Sequence, residues 1–319
     1  MLAIFTNPNY DFIGYRRWAY AVSVALVLLA LGSIVVKGGL QYDIDFTGGT
    51  LIELRMPQAV SVGTIRARLA AVGLGHSLIQ EFGDSRDVLI RTQVAATNPA
   101  ELSQRVRGAL DLDGAGPPEI RRAEFVGPQI GHDLRQQALY AVLAALGGIL
   151  LYIWMRFDLR GGVATILSVG HDVLICLGAL SLTNREFSLS VLAALLTVIG
   201  YAVNDRIVMY DRLREIREKQ RAAKGVTFAD QVNLAVNQTL SRTVLTVATV
   251  VLSAAMLFLF GGATLANFAF VVLVGAITGP FSTVYVAAAL DVDWATWIAR
   301  RRAARAGAPV RGRRGVARP

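Results

Sequence analysis

Long apolar runs alternate with short charged stretches along most of this chain. Six of the runs, at about 18–36, 137–155, 162–182, 188–210, 243–260 and 268–290, approach the ~20 residues that carry an α-helix across a bilayer. The pattern predicts an α-helical membrane protein with six transmembrane helices. Residues 38–134 break it: they are polar, lie between the first and second runs, and are long enough to fold as a unit. Within them, alternating apolar and polar positions predict strands at 50–56, 77–82, 87–92 and 119–126, and helical spacing predicts helices at 61–72 and 99–110. That βαββαβ order predicts an α+β ferredoxin-like domain, with Pro117 and Pro118 turning the chain into the last strand.

Charge orients the array. Arg16 and Arg17, then Arg156 and Arg160, then the run from Arg212 through Lys224, and finally eight arginines among the last 20 residues all fall on one side of the six runs. The short loops opposite carry only Arg185. Basic loops stay in the cytoplasm, so both termini are expected there and residues 38–134 outside a bacterial inner membrane. The expected divisions are 1–37 (N-terminus and first helix), 38–134 (outer domain), 135–298 (five further helices) and 299–319, a basic disordered tail without periodicity. Asp211–Lys224 reads as a solvated charged helix that continues the fourth run.

Composition agrees. A hydrophobic share of 54%, a charged share of 17% and a mean hydropathy of +0.48 exclude an ordinary soluble domain. The net charge of +9 resides largely in the tail and follows from topology, so no nucleic-acid partner is expected. The first run follows two arginines as a signal peptide would, but it is long for one and no small-x-small site follows, so an uncleaved span is expected. Cys176 is the single cysteine and has no internal disulfide partner. With three histidines and no phosphate loop, nucleotide fingerprint or nucleophile elbow, neither enzyme chemistry nor a metal or other cofactor is expected.

Three charges sit within or at the edge of apolar runs: Asp172, Asp205 and Arg242. At the centre of a membrane helix each costs about 2.5–3.5 kcal/mol, and such residues commonly mark an ion path. Asp205 lies about 9 Å along its helix from Asp211, towards the cytoplasmic end. Arg242 opens the fifth run at a matching depth. A carboxylate beside an arginine stays ionised and a stranded one takes up a proton, so a helix movement that makes and breaks this pair would move protons. A static pair that fixes packing is the alternative. Asp172 either hydrogen-bonds a neighbouring helix or forms a relay with Asp205, and His171 reads as its packed neighbour. Outside the first run, Asp45, Gly48 and Gly49 lie in Tyr42–Thr50, where the glycine pair suits a tight joint between helix and outer domain.

Five motifs, YDIDFTGGT at 42–50, VGPQIGHDLR at 126–135, SVGHDVLICLG at 168–178, AALLTVIGYAVNDRIVMYDRLRE at 193–215 and NQTLSRTVLT at 237–246, occur in an order that resembles the SecD/SecF family of protein translocase subunits, relatives of the resistance-nodulation-division exporters. The resemblance implies an accessory subunit of the Sec translocon that uses the proton motive force to promote protein export. Asp205 and Arg242 match the family's acid and base in proton movement, with Asn204 and Asp172 beside them on the path. It also implies a SecD partner supplying a second six-helix half, together with the SecYEG channel, unfolded preproteins and membrane lipids as partners. A proton-driven small-molecule or lipid exporter half and a purely structural assembly factor are the competing readings. One position departs: where the family has a small hydroxyl residue, this chain has Arg206. Its side chain is expected to snorkel to the cytoplasmic interface or to compete with Arg242 for Asp205. The former is favoured because adjacent helix residues point about 100° apart.

Overall fold

The computed structural model describes residues 8–82, 84–92, 99–111, 116–156, 158–220 and 225–305. The chain enters through α1 (Arg16–Val36) and a one-turn helix α2 (Ile44–Thr47), then runs β1 (Gly49–Arg55), α3 (Val62–Ala71), β2 (Leu78–Phe82), β3 (Asp84–Thr92), α4 (Pro99–Ala109) and β4 (Glu119–Val126). Five long elements follow: α5 (Pro128–Arg156), α6 (Leu159–Leu182), α7 (Leu189–Lys219), α8 (Phe228–Phe260), and a composite helix made of α9 (Gly262–Ser282), a π-helical segment (Thr283–Ala288) and α10 (Ala289–Arg305). Among the described residues, six helices are long and apolar enough to cross a membrane.

The four strands form one antiparallel sheet in the order β2-β3-β1-β4. Alternation along β1 sends Ile52 and Leu54 to one face, where Val88 and Ile90 of β3 join them. Ile65 and Leu69 of α3 and Leu102 and Val106 of α4 close the core on that side. The other face carries Glu53 and Arg91, both polar and only partly covered. Ser61 caps α3 by accepting from the Thr64 amide at 3.3 Å, which satisfies one of the free N–H groups of a first turn.

Among the spans, burial sorts inner helices from outer ones. In the most apolar window of each, 50% of α6 and 44% of α7 is buried inside the chain, against 17% of α1 and 6% of α5 and of α8. Leu139, Leu143 and Leu150 of α5 and Leu252 and Leu259 of α8 are exposed, as apolar side chains facing lipid would be. Small residues set the closest approaches: a Cβ at Gly178 of α6 would stand 2.2 Å from Ala30 Cβ of α1, and one at Gly275 of α9 would stand 2.4 Å from Val198 of α7.

Several boundaries differ from the sequence reading, each for a local reason. Helix α5 begins at Pro128 rather than near 137, leaving only Gly127 between it and β4; proline suits a first helical turn. Helix α8 begins at Phe228 rather than near 243, because Thr227 and Asp230 form a reciprocal capping box. The expectation of disorder from 299 is corrected as far as Arg305, since α10 continues that far through alanine and arginine, both good helix formers; the rest of that tail lies outside the described residues. The charged extension of α7 is helical to Lys219, and its expected last residues, 221–224, likewise lie outside them.

Candidate ion-carrying site

Helix α7 is the spine of the site. It packs on α6, α8 and α9, and its neighbouring residues Asp205 and Arg206 point in different directions into different surroundings. Arg206 is the surprise. It is fully buried, with 0% exposure, so the expected snorkelling to the cytoplasmic interface does not occur. Its Nη2, with two N–H groups to share, lies 2.7 Å from Asp172 Oδ2 of α6, 2.6 Å from Ser168 Oγ and 2.7 Å from Ser282 Oγ, and its Nε donates to Ser168 Oγ at 3.2 Å. Ser282 Oγ in turn donates to Asp172 Oδ2 at 2.7 Å, and Ser168 Oγ donates to the Ser282 carbonyl at 3.0 Å. His171 Nδ1 lies 3.3 Å from Asp172 Oδ1, and the imidazole stacks on Phe281 with ring centroids 6.5 Å apart.

This arrangement answers a physical problem. A buried ion costs several kcal/mol unless a counter-charge and further hydrogen bonds replace water. Asp172 supplies the charge, and two serines on two other helical turns supply the bonds. The competition with Arg242 for Asp205 does not arise either, because Arg206 is engaged with Asp172 of α6 on a different face of α7.

Asp205 is partly exposed. Its Oδ1 accepts a 2.6 Å hydrogen bond from Thr243 Oγ1 of α8. Arg242, one residue earlier on α8, is exposed, as is Asn204 beside Asp205. Among the described residues no ion pair joins Asp205 to Arg242. The structure therefore places Asp205, Asn204 and Arg242 at one α7–α8 edge, and Asp172 in the core. The surrounding edge is polar for a span: Thr197, Gly200 and Asn204 of α7 and Arg242, Thr246, Thr249 and Ser253 of α8 are exposed.

At the other end of α6 and α7 the Tyr42–Thr50 segment meets the loop between them. Asp45 Oδ2 accepts the Leu189 amide at 2.9 Å, a carboxylate at the positive end of α7. The Asp43 amide donates to the Phe187 carbonyl at 3.0 Å and the Phe187 amide to the Gln41 carbonyl at 2.7 Å. Tyr42, Phe46 and Phe187 pack as a ring cluster with centroids 5.4 to 6.1 Å apart. Gly48 and Gly49 have φ of +72° and +132°, conformations that disfavour a side chain. Gly131 of α5 passes so close that a Cβ there would stand 3.0 Å from the Gly48 nitrogen. Arg91 of β3 ties the sheet to this loop through ion pairs with Glu186 and, at 3.4 Å, with Asp43. Burial pushes the Asp43 carboxyl above its ordinary range against the pull of Arg91, and burial pushes the Arg91 guanidinium down.

Sequence reasoning missed Arg206 as a core cation, Ser168 and Ser282 as its bonding partners, and the Arg91–Glu186 tie. For Arg206 a signal existed: Ser168 and Asp172 sit four residues apart on one face of α6, a polar face that demands a donor.

A bundle of six apolar helices with titratable groups inside it and a small antiparallel sheet joined to one end defines a multi-pass membrane protein of the transporter kind. Comparison with known proteins makes the assignment specific. The family of protein export membrane proteins SecD/SecF, C-terminal, matches residues 111–297. The protein translocase subunit SecF of Desulfurispirillum indicum is 43% identical over 286 residues, covering 89% of this chain and 91% of its own. That of Pseudomonas aeruginosa is 42% identical over 278 residues, covering 87% and 89%. Among solved structures, SecDF of Thermus thermophilus, a translocon-associated membrane protein, superposes with a TM-score of 0.80 at 40% identity over 91% of this chain; the chain spans 39% of that longer protein. The chain belongs to the SecD/SecF family, as a SecF-like subunit of a bacterial inner-membrane translocase.

Proposed function

We propose that the chain is the SecF-like half of a machine that uses the proton motive force to draw exported proteins outward, with a separate SecD chain as its other half. The observation that carries this reading is the α7–α8 edge: Asp205, within an apolar helix, is held inside the chain by a threonine hydroxyl, while Arg242 and a run of hydroxyls beside it stay exposed. Polar groups in lipid are strongly disfavoured, so a second helical half covers this edge and completes the surroundings of Asp205. The length relation to SecDF, of which this chain matches 39%, supports a partner that supplies the remainder.

In this reading both termini are cytoplasmic and residues 38–134 form a ferredoxin-like domain outside, followed by the helical remainder at 135–298. The SecYEG channel and unfolded preproteins are the working partners, and lipids surround α1, α5 and α8. Protonation of Asp205 removes its charge and alters its attraction for Arg242. One charge crossing the full potential contributes about 2.3 kcal/mol per 100 mV, enough to bias two helix arrangements. Asp205→Asn keeps the Thr243 hydrogen bond and removes titration. In vesicles holding the SecD partner it is expected to assemble normally and to lose gradient-dependent export; Arg242→Ala loses it too. Export by Asp205→Asn with an undiminished response to the gradient would refute the proton-carrier role.

A further inference from the structure

The polar core does not end at Asp172 and Arg206. On α6, Gly161, Thr165, Ser168 and Asp172 recur at spacings of four, three and four, which is one face of a helix. On α7, Arg206, Tyr210, Leu213 and Arg217 recur in the same way. The two faces pack together. The Tyr210 ring lies so close to α6 that a Cβ at Gly161 would stand 3.2 Å from it, and its hydroxyl lies beside Thr165 and Asp291. Ser282 and Thr283, both buried, close the third side where α9 passes into the π segment, a helical irregularity often found at functional sites.

One end of this seam is open and the other is shut. At the α6 N-terminal end, Asp291 lines a cavity of about 320 Å³ with Arg156, Asp158, Gly161, Tyr210 and Arg217. Asp291 is only 4% exposed. Beyond Asp172, in the opposite direction, Cys176 and Leu180 belong to an apolar cluster with Val191, Leu195, Val198 and Val271. Along the seam, Arg206 Nη1, His171 Nε2 and Asp291 Oδ1 are buried without a hydrogen-bond partner among the described residues. Polar atoms buried and unmatched on one seam are costly and point to small mobile partners, namely water and protons. From Gly161 to Asp172 the seam rises about 16 Å, roughly half of the ~30 Å hydrocarbon core.

We propose that this seam is a proton half-path contained within the chain, open to the cytoplasm, with Asp291 as its outermost carboxylate, Asp172 as its inner carboxylate and Arg206 as the positioning residue that holds Asp172 in place. It rests on the proton-driven reading above and adds a second acid on the other side of α7 from Asp205. A proton held on Asp172 passes along the hydroxyls of Ser168, Thr165 and Tyr210 and along water to the Asp291 carboxylate, and leaves to cytoplasmic water, the direction in which the gradient drives it. Asp172 is charged again, Arg206 regains its counter-charge, and the seam loses one positive charge. The charged and titratable groups facing Asp172 are His171 and Cys176 of α6 and Arg206 of α7. Those facing Asp291 are Asp158 and Arg160 at the start of α6 and Tyr210 and Arg217 of α7. From α1, Arg16 and Tyr20 bind Asp293 instead.

The test uses the full chain with its SecD partner in vesicles. In a Cys176→Ala background, Thr165→Cys is expected to react with a small cationic thiol reagent added on the cytoplasmic side, whereas Leu180→Cys, in the sealed half, does not. Asp291→Asn is expected to slow gradient-driven export by about a hundredfold, the low end for removing a positioned proton-transfer group, and to shift its pH profile, with Asp291→Glu restoring both. Because Asp172→Asn alone strands Arg206, Asp172→Asn with Arg206→Thr is measured instead and is expected to fold and to lose the gradient response. An unreactive Thr165→Cys, or a full gradient response in both Asp291→Asn and the double variant, overturns the half-path. If Asp205→Asn loses the response while those two keep it, the half-path fails and the reading above stands. If all of them keep it, the proton-driven reading fails as well.

Discussion

Two neighbouring positions on α7 carry opposite charges into opposite kinds of surroundings. Arg206 meets Asp172, Ser168 and Ser282 and has no exposed surface. Asp205, one residue earlier, meets Thr243 at a partly exposed edge. The first site takes its counter-charge from within the chain, with four side chains interlocked across three helical elements. The second has a hydrogen bond but no counter-charge in contact. The contrast teaches that the two acids are held differently: Asp172 by a cation of its own chain, Asp205 by a single hydroxyl at a partly exposed edge.

The largest effect expected from this contrast is thermodynamic. Asp172→Asn leaves Arg206 as a lone buried cation and is expected to destabilise the bundle by about 3–5 kcal/mol, read from thermal or denaturant unfolding in detergent. Adding Arg206→Thr is expected to recover most of that loss, so the double-mutant cycle shows strong coupling. The same substitutions at the other site behave differently: Asp205→Asn is expected to change stability little in the isolated chain. A comparable loss at both positions would erase the distinction.

Next in size is the response to a partner. If the α7–α8 edge is finished by SecD, binding raises the midpoint of unfolding in a concentration-dependent way. Identical midpoints with and without the partner would break the comparison. Arg91→Ala follows. It leaves Glu186, whose side chain is 4% exposed, without its cation and is expected to cost about 1–3 kcal/mol and to speed amide exchange over 183–190. Thr243→Val is expected to cost about 0.5–1.5 kcal/mol, the net worth of one hydrogen bond, read from unfolding in detergent. Smallest is Arg214→Ala on the solvated part of α7, where the exposed pair with Glu218 at 3.2 Å is worth about 0.3–0.5 kcal/mol.

Much of the architecture was legible because the bilayer and the sheet impose simple periods. The six apolar runs became six helices, and the alternation in 50–56 and 119–126 became β1 and β4 within a residue. Helix ends were less legible: the capping box at Thr227 and Asp230 starts α8 one polar turn after another ahead of its apolar stretch, where hydropathy gives no signal. At the site, charge in an apolar run correctly drew attention to Asp172 and Asp205, but charge does not reveal which way a side chain points. Arg206 sits next to Asp205 in sequence and was weighed against it, whereas the deciding residues, Ser168 and Ser282, lie 38 and 76 positions away. Glu186 of the α6–α7 loop stayed silent for the same reason, since its partner Arg91 belongs to the sheet.

The direct passage from β4 to α5 through Gly127 alone has a mechanical consequence. With 29 residues, α5 is a rod about 43 Å long. Joined to the sheet without a slack connector, it acts as the handle of the sheet. A tilt of about 5° around its far end carries the sheet sideways by about 4 Å, so a small rearrangement among the helices becomes a larger displacement of the sheet. The contact of Gly131 with Gly48 lies close to the load, and the contacts of Ile153 with the inner helices lie close to the pivot. That division of labour asks very little displacement of the core in return for a wider sweep at the sheet.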